Sequence, residues 1–367
     1  MSVLNTNKYY SLKNILDKNA LYNVIIGERS NGKTYSVLSY AIEHYFKTGG
    51  QLAIIRRWKE DITGRRASDI FASINADGIV EKASKGKFTG ITYYASKFYF
   101  CNYDEHNKPI YSIDTDCFAY TFALSDNEHN KSISYPNIET ILFDEFLTKY
   151  VYLRDEFMLF MNTLSTIIRQ RDNVKIFMLG NTVNNYSPYF DEMGLTHVRN
   201  MEQGTIDLYT YGESELTVAV EYCKTNKRAK KSNKYFAFNN SKLEMITNGK
   251  WELDIYPHLL TKYKEKDIIF TYFIIFDEQI YQCEIINKDS NYFTYIHIKT
   301  TDIQDYDHDY IYSLDNSYKK NYNKNILKPC NKLQENIAYF FKCDKVFYQN
   351  NEVGNAINNY LKTCQNY

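Results

Sequence analysis

The chain predicts an α/β fold of the P-loop nucleoside-triphosphatase type, in its additional-strand class, with a β-meander insertion and a second, α+β unit behind it. Three observations carry this. The apolar run LYNVII (21–26) meets Gly27-x-x-x-x-Gly32-Lys33-Thr34 and then a helical pattern, the strand–loop–helix context that makes such a motif informative. Strand and helix periodicities alternate through the first half of the chain. A further apolar run, IETILFDEF (138–146), closes on the acid pair Asp144-Glu145.

The loop comes first. Glycines let backbone N–H groups curl round a phosphate with no Cβ in the way, and the helix N-terminus adds the positive end of its dipole. Gly27, Glu28, Arg29, Ser30, Asn31, Gly32, Lys33 and Thr34 are therefore the expected ATP-binding loop. Lys33 supplies a point charge to the β- and γ-phosphates, and the Thr34 hydroxyl is a ligand for Mg²⁺. Glu28, an acid beside the phosphates, must point outward or weaken binding. With only 14 glycines in 367 residues, a chance match is a poor explanation.

After the loop, YSVLSYAIEHYF reads as an amphipathic helix stopped by Gly49-Gly50, and QLAIIRR (51–57) as a buried strand with a basic exit. ITYY, KFYFCNY and IYSI alternate like strands, with turn residues at Asp104–Pro109, and CFAYTFAL (117–124) is another buried strand. Together they read as a meander inserted into, or hung on the edge of, the sheet. DEFMLFMNTLSTIIRQR (155–171) is a helix and VKIFMLGN (174–181) a strand. TIDLYTYGESELTVAVEYCKT reads as a short helical bridge into the basic segment KTNKRAKKSNK (224–234). Three antiparallel strands over 267–300 follow, then helical patterns around a short VFYQN strand. The expected division is an ATPase domain over 1–200, a linker region over 201–240 and a C-terminal domain over 241–367.

Lys+Arg and Asp+Glu both number 44, so the net charge is zero. Any nucleic-acid contact must then come from local patches rather than bulk attraction. Seven scattered cysteines include no Cys-x-x-Cys and no zinc-ligand spacing, the pattern of reduced thiols. No apolar run approaches the ~20 residues a bilayer demands, and the first residues lack a signal-peptide core. A soluble, intracellular protein is expected. The 36 tyrosines and 22 phenylalanines reflect AT-rich coding as much as chemistry.

The acid pair makes the loop mechanistic. Asp144, at the end of its strand, is placed beside Thr34 for Mg²⁺, and Glu145 within reach of the water that attacks the γ-phosphate. The strand at 51–57 lies between the two motifs in sequence, as the additional-strand class requires, and no guanine-reading Asn-Lys-x-Asp occurs; ATP is the expected nucleotide. Asn181, ending the next strand, is a candidate for touching the γ-phosphate or the lytic water. Arg169 and Arg171 close the preceding helix. They either complement its dipole, or one of them, Arg169 first, stabilises charge at a neighbouring subunit's nucleotide. Arg56, Arg57 and Lys59 cluster after the second strand, where solvation, sensing across a subunit seam and DNA phosphate contact all remain open.

GERSNGKT, IIRRWK, KSISYPNIETILFDEF, IIRQR and LGNTVNNYSPYF together resemble, in order and spacing, the DNA-packaging ATPases of phi-29-like bacteriophages. The resemblance is specific over residues 20–195 and collinear beyond. It implies a ring-forming motor, similar to the FtsK/HerA group, that pumps double-stranded DNA into a preformed capsid through the portal. It further implies a homopentamer tied to the portal by a structural packaging RNA. Such a motor works in the host cytoplasm, transiently on the procapsid, and is absent from the mature virion. By matched motif Lys33, Thr34, Asp144, Glu145 and Arg169 take the nucleotide roles, and Lys59 and Lys131 match basic positions that act across the seam. The C-terminal domain is implied to resemble an RNase H-type nuclease that has lost its metal-binding acids. FTYFIIF contains no acid, in keeping with binding rather than cutting. From local charge alone, Lys227, Arg228, Lys230 and Lys231 of the basic segment are expected to form an auxiliary DNA patch. Two rival readings stand: a terminase-like motor with an active nuclease, and a nucleotide-gated assembly protein that translocates nothing.

Overall fold

Near-continuous apolar runs such as NVII, LAII, TILF and IFML can be buried only between two layers, which is the signature of a parallel sheet covered on both faces. The computed structural model, which describes residues 10–126, 133–212, 215–224, 251, 254–301 and 305–366, places them so. The chain divides into two units, Met1–Lys149 with Asp155–Glu252, and Tyr150–Arg154 with Leu253–Tyr367.

Unit 1 is built, among the described residues, on a ten-stranded sheet. Its strands are β1 (Tyr22–Gly27), β2 (Gln51–Arg56), β3 (Gly90–Tyr94), β4 (Lys97–Tyr103), β5 (Pro109–Ile110), β6 (Cys117–Ala123), β7 (Ile138–Asp144), β8 (Lys175–Asn181), β9 (Ile206–Tyr211) and β10 (Leu216–Tyr222). They lie in the order β3-β4-β6-β2-β7-β8-β1-β10-β9, with β5 on β4. From β6 across to β10 the strands run parallel; β3, β4 and β9 make antiparallel edges. The predicted meander is thus hung on one edge.

Helices α1 (Lys13–Leu16), α2 (Lys33–Thr48), α3 (Gly64–Ser68), α4 (Ala72–Ala76) and α5 (Ile79–Ser84) contribute to the core on one face, where Val37, Leu38 and Ile42 of α2 cluster with Ile25, Ile54, Leu142 and Leu179 of the sheet. Each such side chain, fully buried, contributes about 1.5–3 kcal/mol. The other face is covered by α6 (Glu156–Ile168) and α7 (Pro188–Glu192), with Phe143 against Phe160 at 4.9 Å and against Tyr189 at 5.6 Å.

The expected helical bridge is instead the β9–β10 hairpin. Val218, Ala219 and Val220 are buried beside β1 in parallel register, so burial against a neighbouring strand, not local propensity, decides this segment. The linker assigned to 201–240 therefore overlaps the sheet at 206–222. Most of the basic segment, 225–234, lies outside the described residues.

Unit 2 contains β11 (Ile268–Phe276), β12 (Gln279–Lys288), β13 (Asn291–Ile298), β14 (Ile311–Ser313), β15 (Tyr322–Asn323), α8 (Lys332–Lys342), β16 (Val346–Tyr348) and α9 (Asn351–Asn366). Its sheet order is β15-β14-β11-β12-β13-β16. The predicted meander is β11–β13; Asp277, Glu278, Asp289 and Ser290 all take positive φ at its two turns, as tight hairpins demand. β14 and β15 add parallel to β11 and to each other. Phe276 meets Tyr360 of α9 at 6.0 Å. No helix among the described residues is long and apolar enough to cross a membrane.

Glu284 of β12 accepts from Tyr263 Oη at 2.5 Å and Gln282 Nε2 at 2.7 Å, with His297 Nε2 at 3.5 Å. Burial works to raise the Glu284 pKa, but these partners outweigh it and hold it below the ordinary 4.5. Burial likewise opposes charge on His297; its bonds to Glu284 and the Ile298 carbonyl win and lift it above 6.5. The His297 contribution to stability is then complete below pH 6.5 and lost as pH rises through the folded value, while that of Glu284 is complete above 4.5 and lost below it. Hydrogen-exchange protection of the β12–β13 amides is expected to fall about fivefold on the alkaline side. Glu284→Gln should flatten that slope; an unchanged slope would refute the assignment.

Candidate nucleotide-binding and hydrolysis site

At the C-terminal end of β1 the chain turns through residues 28–32 into α2, and the turn is built round Lys33. Gly32 precedes the helix at φ 93°, a left-handed conformation that favours glycine. Gly27 is fixed by contact: a Cβ there would lie 2.8 Å from Cys223 Cβ. Lys33 Nζ, buried, donates to the carbonyls of Gly27 at 3.2 Å and Glu28 at 2.7 Å, to Asn31 Oδ1 at 3.3 Å and to Asn181 Oδ1 at 3.2 Å. Burial lowers its pKa, partly offset by negative groups around it, Asp144 and Glu28 among them. Glu28 is half-buried, whereas Arg29 and Ser30 are exposed.

Two strands away, β7 delivers the acid pair to the same end of the sheet. Thr34 Oγ1 donates to Asp144 Oδ1 at 3.1 Å. Burial, then the charge of Glu145, pushes the Asp144 pKa up; Arg56, Thr34 and Lys33 pull against it. Glu145 sits at φ 59°, and its carboxylate is held 2.9 Å from Arg56 Nη1, which also lies 3.6 Å from Asp144 Oδ2. Between β1 and β7 runs β8, whose last residue, Asn181, pairs in register with Gly27. Lys33, Thr34, Asp144, Glu145 and Asn181 are brought together. The oxygens of Thr34 and Asp144 form the hard donor set that Mg²⁺ prefers.

Other predicted residues stand elsewhere. Arg57, for which solvation, a seam and DNA contact were all open, is buried: its Nε and Nη2 hold both oxygens of Glu156 at 2.7 and 2.8 Å. Arg171 is spent inside the subunit, donating to the carbonyls of Tyr135, Pro136, Ile138, Ile167 and Ile168; it ties the end of α6 to the start of β7 and has no catalytic place. Arg169 is exposed at that same end, donating to the Ile133 carbonyl at 3.1 Å. β7 spans about 20 Å at about 3.3 Å per residue, and Arg169 closes α6 beside the segment that leads into the start of β7, whereas Asp144 ends that strand. Lys59 is exposed and paired with Asp126 at 2.6 Å. Lys131, Lys227, Arg228, Lys230 and Lys231 lie outside the described residues.

Sequence reasoning missed Glu156 and Tyr189, whose hydroxyl donates to Glu156 at 2.9 Å. It also missed the segment before β1: Tyr10 N–H donates to the Asn31 carbonyl at 3.0 Å, Ser36 Oγ donates to the Tyr10 carbonyl, and Tyr10 Oη donates to Glu221. A polar residue inside an otherwise apolar strand, Glu221 in VAVEY, was the available signal.

A family model described as Podovirus DNA encapsidation protein (Gp16) matches residues 4–327. The DNA packaging protein of Bacillus phage phi29 is 28% identical over 186 residues, covering 50% of this chain and 49% of that protein. That of Bacillus phage B103 is 27% identical over 184 residues, covering 49% of this chain and 50% of that protein. The chain spans about half the length of the curated relatives it matches. Among solved structures, the Phi-28 gp11 DNA packaging motor aligns with a TM-score of 0.53 at 17% identity, over 98% of this chain and 99% of that one. The bacteriophage Phi-29 viral genome packaging motor assembly gives 0.53 at 19%, over 97% and 99%; at these identities the likeness is one of fold. The length of the family match settles membership: this chain belongs to the podoviral DNA encapsidation protein (Gp16) family.

Proposed function

We propose that this protein is an ATPase of the P-loop, additional-strand class that drives double-stranded viral DNA into a preformed capsid. The observation that carries the reading is the meeting of Lys33, Thr34, Asn181, Asp144 and Glu145 at the C-terminal ends of β1, β8 and β7. The interposed β8 supports the class, because it sets the base-bearing strand two spacings, about 10 Å, from the phosphate-binding strand. Lys33 binds and orients phosphate oxygens. Thr34 and Asp144 would hold Mg²⁺, which when bound offsets the charge of the phosphoryl group in transfer. Glu145 orients and deprotonates the attacking water, and since Arg56 holds its carboxylate in this conformation, that ion pair must open for turnover.

The finer reading is a ring, homopentameric by family resemblance, on the portal, with a structural RNA as attachment partner, working in the host cytoplasm. Arg169, at the other end of β7 from Asp144, serves the neighbour's site. Unit 2 is taken as an RNase H-like domain without nuclease activity. In support, β14 and β15 extend the β11–β13 meander in parallel, and β11 contains no acid.

A chain of zero net charge must hold duplex through few phosphates, with log K falling by a slope of about −0.9 per phosphate neutralised. Binding is expected to be blind to sequence, because base-edge readout would pin a motor in place. A non-hydrolysable ATP analogue should strengthen it, and joint neutralisation of Lys227, Arg228, Lys230 and Lys231 should weaken it. Titration of labelled duplexes at several salt concentrations tests this. A strong sequence preference would refute the motor, and Mg²⁺-dependent plasmid cleavage would restore the nuclease reading.

A further inference from the structure

We infer that Arg57 is a positioning residue for ATP hydrolysis: anchored by Glu156 and Tyr189, it fixes the backbone that carries Glu145. The inference rests on the reading of Glu145 as the base.

Arg56 is the last residue of β2 and Arg57 follows it directly. They divide the work on one residue. Arg56 reaches the Glu145 carboxylate at 2.9 Å. Arg57 reaches the main chain beneath it, with Nη2 donating to the Phe146 carbonyl at 2.7 Å and Nη1 toward the Glu145 carbonyl at 3.4 Å. The Phe146 N–H donates to the Leu179 carbonyl of β8 at 3.1 Å. The loop is thereby held from two strands at once.

Such holding is needed because Glu145 lies at φ 59°, a region that side chains of L-residues rarely adopt and that persists only when the surroundings over-determine it. Arg57 is itself immobilised. It is 7% exposed, Glu156 is 2% exposed, and the pair is bidentate, with Tyr189 on Glu156 Oε1. A buried ion pair that served only stability could be exchanged for apolar residues of like volume. This one spends its remaining donors on the carbonyls at and after the base, which an apolar pair cannot do.

The test uses the full chain carrying Arg57→Met with Glu156→Met, beside Glu156→Gln and Glu145→Gln. The double variant is expected to bind ATPγS within threefold of the parent and to keep KM within threefold, while kcat falls about 100-fold, the usual effect of a misplacement near 1 Å. Hydrogen exchange at residues 145–148 should quicken about tenfold, with α2 unchanged. A parental kcat in the double variant overturns the inference, since the pair would then be structural only. Should the double variant fail to bind nucleotide, Glu156→Gln, which keeps shape and acceptor, decides. It is expected to show the same split of kcat from KM at about tenfold, and a parental kcat there overturns the inference. Glu145→Gln separates the two levels. If it hydrolyses ATP normally, the base assignment fails; if it is slow while both Glu156 variants are fast, only the positioning role fails.

Discussion

Glu145→Gln is expected to bind ATP as tightly as the parent and to hydrolyse it at least about 100-fold more slowly, the usual contribution of a positioned general base. The substitution keeps the shape of the side chain and its contact with Arg56, 2.9 Å away, while removing the proton acceptor. Lys33→Ala is the complementary case. Lys33 makes four hydrogen bonds to the loop and to Asn181, and its removal takes away the positive charge that meets the phosphates. Charged hydrogen bonds contribute about 1.5–3 kcal/mol each, so ATP binding should weaken about 100-fold and turnover vanish with it. Equilibrium titration with ATPγS beside single-turnover hydrolysis separates the two effects. Glu145→Gln turning over at more than about a tenth of the parental rate would mean that another group activates the water.

The second large effect belongs to Arg169. Its exposed guanidinium lies at the far end of α6 from Asp144; on the proposed reading it serves a neighbouring site, and an arginine supplied across a seam contributes about 10³-fold or more to kcat. Arg169→Ala should therefore bind ATP normally as an isolated subunit yet lose about 10³-fold in DNA-stimulated hydrolysis within an assembly. Mixed with Lys33→Ala subunits, some activity should return, because a Lys33→Ala neighbour still presents its arginine to an intact loop. Absence of rescue at every mixing ratio, together with unimpaired turnover of Arg169→Ala alone, would remove the seam from the mechanism.

What the sequence made legible was local. The loop 27–34 and the acid pair 144–145 are each contiguous, and strand polarity alone carries both to one end of the sheet. Asn181 was legible because β8 is a long apolar run whose last residue must emerge there. Arg57 was not, because its partner lies 99 residues away, and a basic residue at a strand end is indistinguishable in sequence from a surface one. Arg171 was misread for the same reason, with acceptors 33–36 residues upstream as well as in its own helix. β9 escaped because an edge strand needs only half of its residues inside, and β14 and β15 because two or three residues carry no period. The strand at 51–57, set between the two motifs by sequence order, pairs on the far side of β7 from β1, and it is β8 that lies between β1 and β7; strand order is a matter of pairing, which only the folded sheet discloses.

One consequence of the backbone at Glu145 bears on how such a protein can be improved. A left-handed conformation costs an ordinary L-residue about 1–2 kcal/mol, and glycine is largely spared it. The residue that would best suit the backbone at position 145 is thus one that lacks the carboxylate proposed as the base. Selection for a sturdier subunit and selection for a faster one pull that position in opposite directions. On the proposed role of Glu145, a substitution chosen there for stability alone would cost turnover, so gains in robustness must be sought away from the end of β7.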